Sequence, residues 1–545
     1  MKKISLLAFI CIAAFTVNAQ LFIDNSTFHI QVGATVIVQG DLTSNVDILG
    51  PGKVLLAGSA NQNITMNGLT IPNLEINNTT NATLLSNARI GTNLNFVNGK
   101  IILGNFNMKF ASSSTGTGGG TGKFLETTGT GQAQLEVAAD IPVGTPFTFP
   151  VGSGTDYMPL TVSNTGATYT SAVIGVQNKG IADPNKHPRT ESYLTTYWPI
   201  TKTGITGGTT NAVGTYADPT RITGTESDLR GIYWDGTNWS LTGGSQDATL
   251  NTAGANATAN SGEIYAMNKF VLANMKALLQ APYNTGNSLL DDKLRTNVAY
   301  VPGTLPASNL LPLTDPYRVA PFNGTGRFLT VNDAPIETIN SSVLNDQVVA
   351  QNNIVDWVFL ELRNITTPGN AVVQTRSALL KRDGNIVDID GVSPVYFKNV
   401  DAGNYTLTVK HRNHLSISTN PAVFSKALDL TSSATLDFTT LAAANLMGSA
   451  NAAYFNNGTF NMLYGGNANF NNKVAFINPI NDKDYLLITT LGNNPAAFIS
   501  NTYNVADVNM NRIVRFLNPG NDKDFILINV LGNLPGTSKT EVLPF

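Results

Sequence analysis

From Leu21 to about Leu135 the chain is cut into apolar segments too short to be helices: Val36-Ile37-Val38, Val54-Leu55-Leu56, Ile64-Thr65-Met66, Leu74-Glu75-Ile76, Leu94-Asn95-Phe96, Ile101-Ile102-Leu103 and Met108-Lys109-Phe110. Several begin about ten residues apart, with Gly, Asn and Thr between them. Short strands at quasi-regular spacing predict a small parallel β-helix, in which each coil buries its apolar positions on the next. A β-sandwich is the alternative. Asn61-Gln62-Asn63-Ile64 and Asn98-Gly99 read as corners and turns, and Gly116 to Gly122 as a loop near the end of the region.

Composition agrees with a β-rich chain. Charged residues are 13% of the 545, against roughly 25% in an ordinary globular protein, while 42% are hydrophobic. The formal charge of -3 and the lack of any Lys/Arg run leave no electrostatic footprint for nucleic acid. Residues 1–19 read as a signal peptide. Lys2 and Lys3 are the basic end, Ile4 to Val17 the apolar stretch, and Val17-Asn18-Ala19 the cleavage site. This predicts an extracellular or cell-surface location. The single cysteine, Cys11, lies within that stretch, so the mature chain relies on its cores and not on disulfides. Removing Lys2 and Lys3 leaves 31 basic residues against 36 acidic ones. No second apolar run reaches about 18 residues, so no membrane span is expected.

After the solenoid-like region (20–138), residues 139–277 read as a β-sandwich domain, with strands at Phe147-Thr148-Phe149, Leu160-Thr161-Val162 and Ala172 to Val176. Its clearest element is Gly231 to Trp239, in which Asp235-Gly236 permits a tight hairpin. Trp234 and Trp239 there are the candidate ligand platform, since exposed indoles stack on sugars; packing on a sandwich face is the plainer role. Residues 278–342 carry Pro282, Pro302, Pro306, Pro312, Pro316, Pro321 and Pro335 and read as an extended, semi-rigid connector. Residues 343–440 read as a second β-sandwich module. It holds Val355 to Arg363 as a buried strand with Trp357 in its core, two strands about Asp383-Gly384, and Tyr405 to His411.

Residues 441–545 contain a repeat at an offset of forty. Asn467 to Phe476 returns as Asp507 to Phe516, Asn478 to Ile488 as Asn518 to Ile528, and both copies close on Leu-Gly-Asn at 491–493 and 531–533. Each copy predicts an oxygen-rich loop capped by Asp482 or Asp522, then a short helix stopped by Gly492 or Gly532. Asp507, Asn509 and Asn511 offer oxygens at alternate positions, with a carbonyl near Ile513 and Asp522 or Asp524 to close the shell, which is the pattern a calcium ion needs. Arg512 stands where such a loop turns on Gly, and the first copy starts with Asn467, Asn469 and Asn471.

These paired loops, each followed by Asn-Asp-Lys-Asp and a short apolar helix, resemble the degenerate dockerin-like repeats that end modular surface proteins of Gram-negative bacteria, some of them haemagglutinin-like adhesins. Asp356-Trp357 through Arg363, Leu379 to Gly384 and His411-Arg412-Asn413-His414 are similar to a module of the same proteins, as is the Gln62-Asn63-Ile64 style of the N-terminal repeats. The resemblance implies a mainly β, multidomain chain ending in a small α-containing repeat domain, and a protein partner for those repeats, since true dockerins bind cohesins.

No catalytic constellation assembles from the sequence, so an enzyme is not expected. On one strand, His411 and His414 would point to opposite faces and could not share a metal unless a turn intervened. Asp388 with Asp390, and Asp291 with Asp292, read as turn and loop residues unless folding sets a partner across a cleft. The expected role is adhesion or scaffolding, through an extracellular glycan or protein surface. The alternative is a carbohydrate-binding or polysaccharide-processing accessory protein.

Overall fold

The computed structural model describes residues 20–544 apart from 297, 324, 332–335, 366–370 and 432–433. Residues 1–19, expected as a signal peptide, and Pro335 lie outside the described residues. Strand accounts for 42% of the chain and helix for 7%, so sheets form the frame. The chain divides into two compact units, one ending at Asn268 and the other running from Lys269.

The first unit begins as a parallel β-solenoid. Leu21–Ile23, Leu42–Ser44, Gln62–Thr65 and Ala82–Leu84 stack in parallel as one wall, and Thr35–Val38, Lys53–Leu56, Thr70–Asn77 and Ala88–Asn98 as another. A coil takes roughly twenty residues, as Leu21 pairing with Leu42 and Leu42 with Ile64 shows. The ten-residue spacing in the sequence is therefore half a coil. Leu42, Ile64 and Leu84 form one buried column, and Val54, Leu74, Leu94 and Leu56, Ile76, Phe96 form two more. Corners are closed by backbone that admits no side chain: Gly99 has φ +80°, and a Cβ on it would lie 1.8 Å from the Asn78 carbonyl oxygen.

No sheet edge separates the solenoid from the antiparallel strands that come after it. Met108–Phe110 pairs in parallel with Ala133–Val137, which pairs antiparallel with Leu160–Val176. That strand forms a long antiparallel ladder with Trp198–Thr215, which continues through Ser261–Asn268, Leu229–Trp234 and Trp239–Ser240. The solenoid and the expected sandwich thus share one sheet and one compact unit.

In the second unit the main sheet runs His414–Ser418, Gly403–His411, Ile354–Asn364, Val372–Lys381, Asn385–Val387, Met275–Lys276, Leu436–Asp437. Its central strand is buried from Ile354 to Arg363, which explains a mostly apolar run whose charged members Asp356 and Glu361 are buried too, and Trp357 has no exposed surface. Residues 278–342, expected as an extended connector, instead pack on this sheet. Leu290, Leu294, Leu311, Tyr317, Phe322 and Phe328 join Trp357 and Phe359 in one core. The Trp357 Nε1–H donates to the Pro312 carbonyl at 2.9 Å, and the Tyr317 hydroxyl to the Trp357 carbonyl at 2.8 Å. Proline bars this segment from a ladder but suits the first position of a tight helical turn, and Pro316–Arg318 is such a turn, capped by Asp315.

The duplicated units belong to this same body. In each, Asn481 or Asn521 caps a helical turn, Asp482–Asp484 or Asp522–Asp524. The turn widens into π-helical Tyr485–Thr490 or Phe525–Val530, and Gly492 and Gly532, both at φ +63°, end it. Their strands are exchanged. Lys473–Ala475 of the first copy pairs with Ser538–Thr540 of the second, and Phe498–Ser500 of the first with Ile513–Arg515 of the second.

Candidate functional site

In the second repeat loop, Asp507 and Asp522 are brought together and buried. Asp507 accepts the amides of Asn511 and Arg512, both at 2.9 Å, and Asp522 those of Val508 at 2.9 Å and Arg515 at 2.9 Å. Burial pushes both carboxyls up, and each is near a charged neighbour: Arg412 draws Asp507 back down, while Asp507 drives Asp522 further up. Asn509 and Asn511 turn their amide nitrogens to the Gly520 carbonyl and their oxygens to the amides of Asn511 and Ile513. Arg512 adopts the left-handed φ of +79° that the loop needs, and its guanidinium holds the Lys293 and Ser308 carbonyls. Two of the six residues expected to hold the metal stand apart. Ile513 enters the strand facing Ser500. Asp524 sits on the helical turn, where Asn521 and Lys523 hold it below the ordinary carboxylate range. In the first copy Asn467 replaces Asp507, and burial pushes its partner Asp482 up to about 7. Among the described residues no group of three or more His, Cys, Asp or Glu side chains is arranged to hold a metal. What the loop offers a hard cation is two adjacent carboxylates and two amide oxygens.

The hairpin tryptophans face each other across the strands, ring centroids 5.1 Å apart and tilted by 46°. Trp239 is buried, and its Nε1–H donates to the Asn185 carbonyl at 3.1 Å; Trp234 is half-buried against it. They form a packed pair with one partly accessible ring, not two open platforms.

His411 and His414 do meet, contrary to the single-strand reading, because Arg412 and Asn413 form a turn between their strands. Their Nδ1 atoms lie 3.0 Å apart. The partners fix the proton positions. His414 Nε2 accepts the Ala281 amide at 3.2 Å, so its proton is on Nδ1 and points toward His411 Nδ1 and the Asn413 side-chain oxygen. His411 then carries its proton on Nε2 and donates to Asp356 at 3.1 Å. Burial keeps both imidazoles neutral. Asp356 also accepts from Arg412 Nε at 3.0 Å, the Tyr503 hydroxyl at 2.6 Å and the Trp357 amide at 2.8 Å. Burial alone would raise its pKa; Arg412 and these hydrogen bonds overcome that and hold it at about 2. The cluster is sealed and ties the sheet to the second repeat, since Arg412 also donates to the Asn504 carbonyl and Asn413 to that of Asp507.

The acid pairs weighed from sequence have local duties. Asp388 faces Arg376 and accepts two amides, Asp390 closes its own turn, Asp291 pairs with Lys293, and Asp292 pairs with Arg295.

An open arrangement of polar side chains lies on the outer face of the solenoid. Leu55, Glu75, Asn95 and Thr117 stand opposite one another on successive coils, and beside them Asn73, Asn93 and Thr115. Lys53 reaches Glu75 at 3.0 Å, Asn95 Nδ2 donates to Glu75 at 3.0 Å, and the Thr117 hydroxyl donates to Asn95 at 3.0 Å. Thr115 donates to Asn93 at 2.9 Å. Burial would raise the Glu75 carboxyl, but Lys53 and Asn95 more than offset it and hold it low. Lys53, Asn73, Glu75, Asn93 and Asn95, with Thr35, Pro51 and Gly52, line an open groove of about 260 Å³.

No family model, curated protein or solved structure matches this chain.

Sequence reasoning placed Glu75 and Asn95 in short strands but gave their side chains no role, and it put Thr117 in a glycine-rich loop; the alternation of buried Leu74 and Ile76 with outward Asn73 and Glu75 carries the signal. It also missed Asp183 and Glu263, which meet in the first unit and share no local motif.

Proposed function

We propose that the protein is a secreted, modular adhesion or scaffolding protein that meets an extracellular glycan or protein surface along the solenoid ladder. The observation that carries this reading is the row Glu75, Asn95, Thr117 beside Asn93 and Thr115, fixed side chain to side chain on a parallel sheet, with Asn73 held by the Pro51 and Gly52 carbonyls. Polar groups held this way lose little rotamer freedom on binding, so many weak contacts can add up. The partly accessible Trp234 supports the carbohydrate-binding variant of the same reading. In the second unit, calcium at Asp507 and Asp522 would relieve the repulsion between two buried carboxylates, and the repeats remain the candidate surface for a protein partner.

Glycan-array binding by the chain from residue 20 tests the reading. Asn73→Ala with Asn95→Ala should lower the response to the best glycan at least tenfold, while Asp507→Ala leaves it unchanged. Undiminished binding by the double variant would overturn the ladder as the contact face. The calcium element is read separately: Asp507→Ala should abolish most of the rise in melting temperature between chelator and millimolar calcium.

A further inference from the structure

In the first unit, residues 181–190 lie against the sheet face that carries Glu263, Trp234 and Trp239. Glu263 is opposite Trp234 on the neighbouring strand, and Trp234 opposite Trp239 on the next. Two contacts of Asn185 hold the loop there, and a third closes the loop on itself. The Asn185 carbonyl accepts the Trp239 indole N–H, its side-chain nitrogen reaches Glu263 Oε2 at 3.2 Å, and its amide donates to Asp183 Oδ1 at 2.7 Å.

Asp183 is 1% exposed, and its Oδ2 accepts no hydrogen bond. The group beside it is the Glu263 carboxyl, another acceptor. Neither carboxylate has a Lys or Arg ion-pair partner among the described residues; Lys186, the nearest basic residue in sequence, spends its ammonium over the Tyr193 ring at 4.6 Å. Burial and then Glu263 push the Asp183 carboxyl up to about 7, and Tyr197 is raised by burial with both acids contributing. Two facing carboxyls with no Lys or Arg beside them are relieved in one of two ways, by one shared proton or by a positive centre.

We propose that Asp183 and Glu263, with the side-chain oxygen of Asn185 turned inward, form a binding site for a hard divalent cation of the calcium class. Two carboxylates and an amide oxygen supply part of the six to eight ligands calcium takes, and water reaches the remainder because Asn185 is exposed and Glu263 half-buried. So sparse a site fits the weak, extracellular range of about 10⁻⁴ to 10⁻³ M. The ion would pin the loop to the sheet beside Trp234. This site is separate from the solenoid ladder and from the C-terminal repeats.

The test uses terbium, which replaces calcium and emits when excited through a nearby indole. The chelator-stripped chain, excited at tryptophan, should give terbium emission that calcium displaces in the millimolar range. Asp183→Asn and Glu263→Gln should each lower that emission at least tenfold, and Trp234→Phe should dim it without moving the calcium midpoint. Asp507→Asn, in the other unit, removes any emission from the repeat loop and should leave intact the part that Trp234 sensitises. Glu263→Gln alters a half-buried side chain and carries the test if Asp183→Asn fails to fold. No sensitised emission, or emission that survives Glu263→Gln undiminished, overturns the proposal and leaves the two acids sharing a proton.

Discussion

A single carboxylate, Asp356, shows how this chain uses charge. It is fully buried yet ionised, because four donors, one of them the Arg412 guanidinium, surround it. Asp356→Asn keeps the shape but strands Arg412, so it should cost about 3–5 kcal/mol, measurable by urea unfolding. The histidines beside it give a pH signature. Their folded forms resist protonation below the ordinary 6.5, whereas unfolded imidazoles take up protons there. The unfolded state therefore binds more protons, and stability falls as the pH drops below about 6.5. His414→Gln should flatten the change in urea midpoint between pH 7.5 and 5.5; an unaltered slope would show that the pair does not titrate on unfolding. Little of this was legible beforehand. The Arg412-Asn413 turn has no Gly or Asp-Gly to announce it, and Asp356 lies fifty-five positions from His411. Asp183 and Glu263 are likewise joined by the fold alone.

Among the elements, the strand Ile354–Asn364 and the segment over it depend on each other. Trp357→Ala should cost about 3–5 kcal/mol by opening a cavity between the sheet and the Pro312 and Tyr317 that cover it. The buried strand could be read from its mostly apolar run, and the solenoid columns from their alternation, because those patterns are local. The packing of 278–342 could not, since proline density reports where ladders are forbidden and says nothing of side-chain burial. The repeat helices are set by their caps: Asn481 accepts the Asp484 amide and Asn521 that of Asp524. Asn481→Ala and Asn521→Ala should each lower stability by about 1 kcal/mol, by the same measurement. Equal effects would be the thermodynamic counterpart of the sequence duplication.

For the whole molecule, the expected boundaries gave way to two bodies divided in the chain between Asn268 and Lys269. Residues 20–268 and 269–545, expressed separately, should each unfold in one cooperative transition, whereas 343–440 alone should not fold, having lost the cover over Trp357 and the Tyr503 and Asn504 partners of Arg412 and Asp356. A folded 343–440 fragment would restore the three-part map of this half. The strand exchange in the C-terminal region has a consequence for how it arose. One forty-residue unit owns a first strand and a last strand that do not pair with each other, and each finds its complement in the other copy. A lone ancestor of this unit would have had unsatisfied edges unless two identical molecules clasped one another about a twofold axis. Gene duplication would then have fused an existing dimer into one chain, leaving Asp507 and Asn467 free to diverge as the two halves ceased to be equivalent.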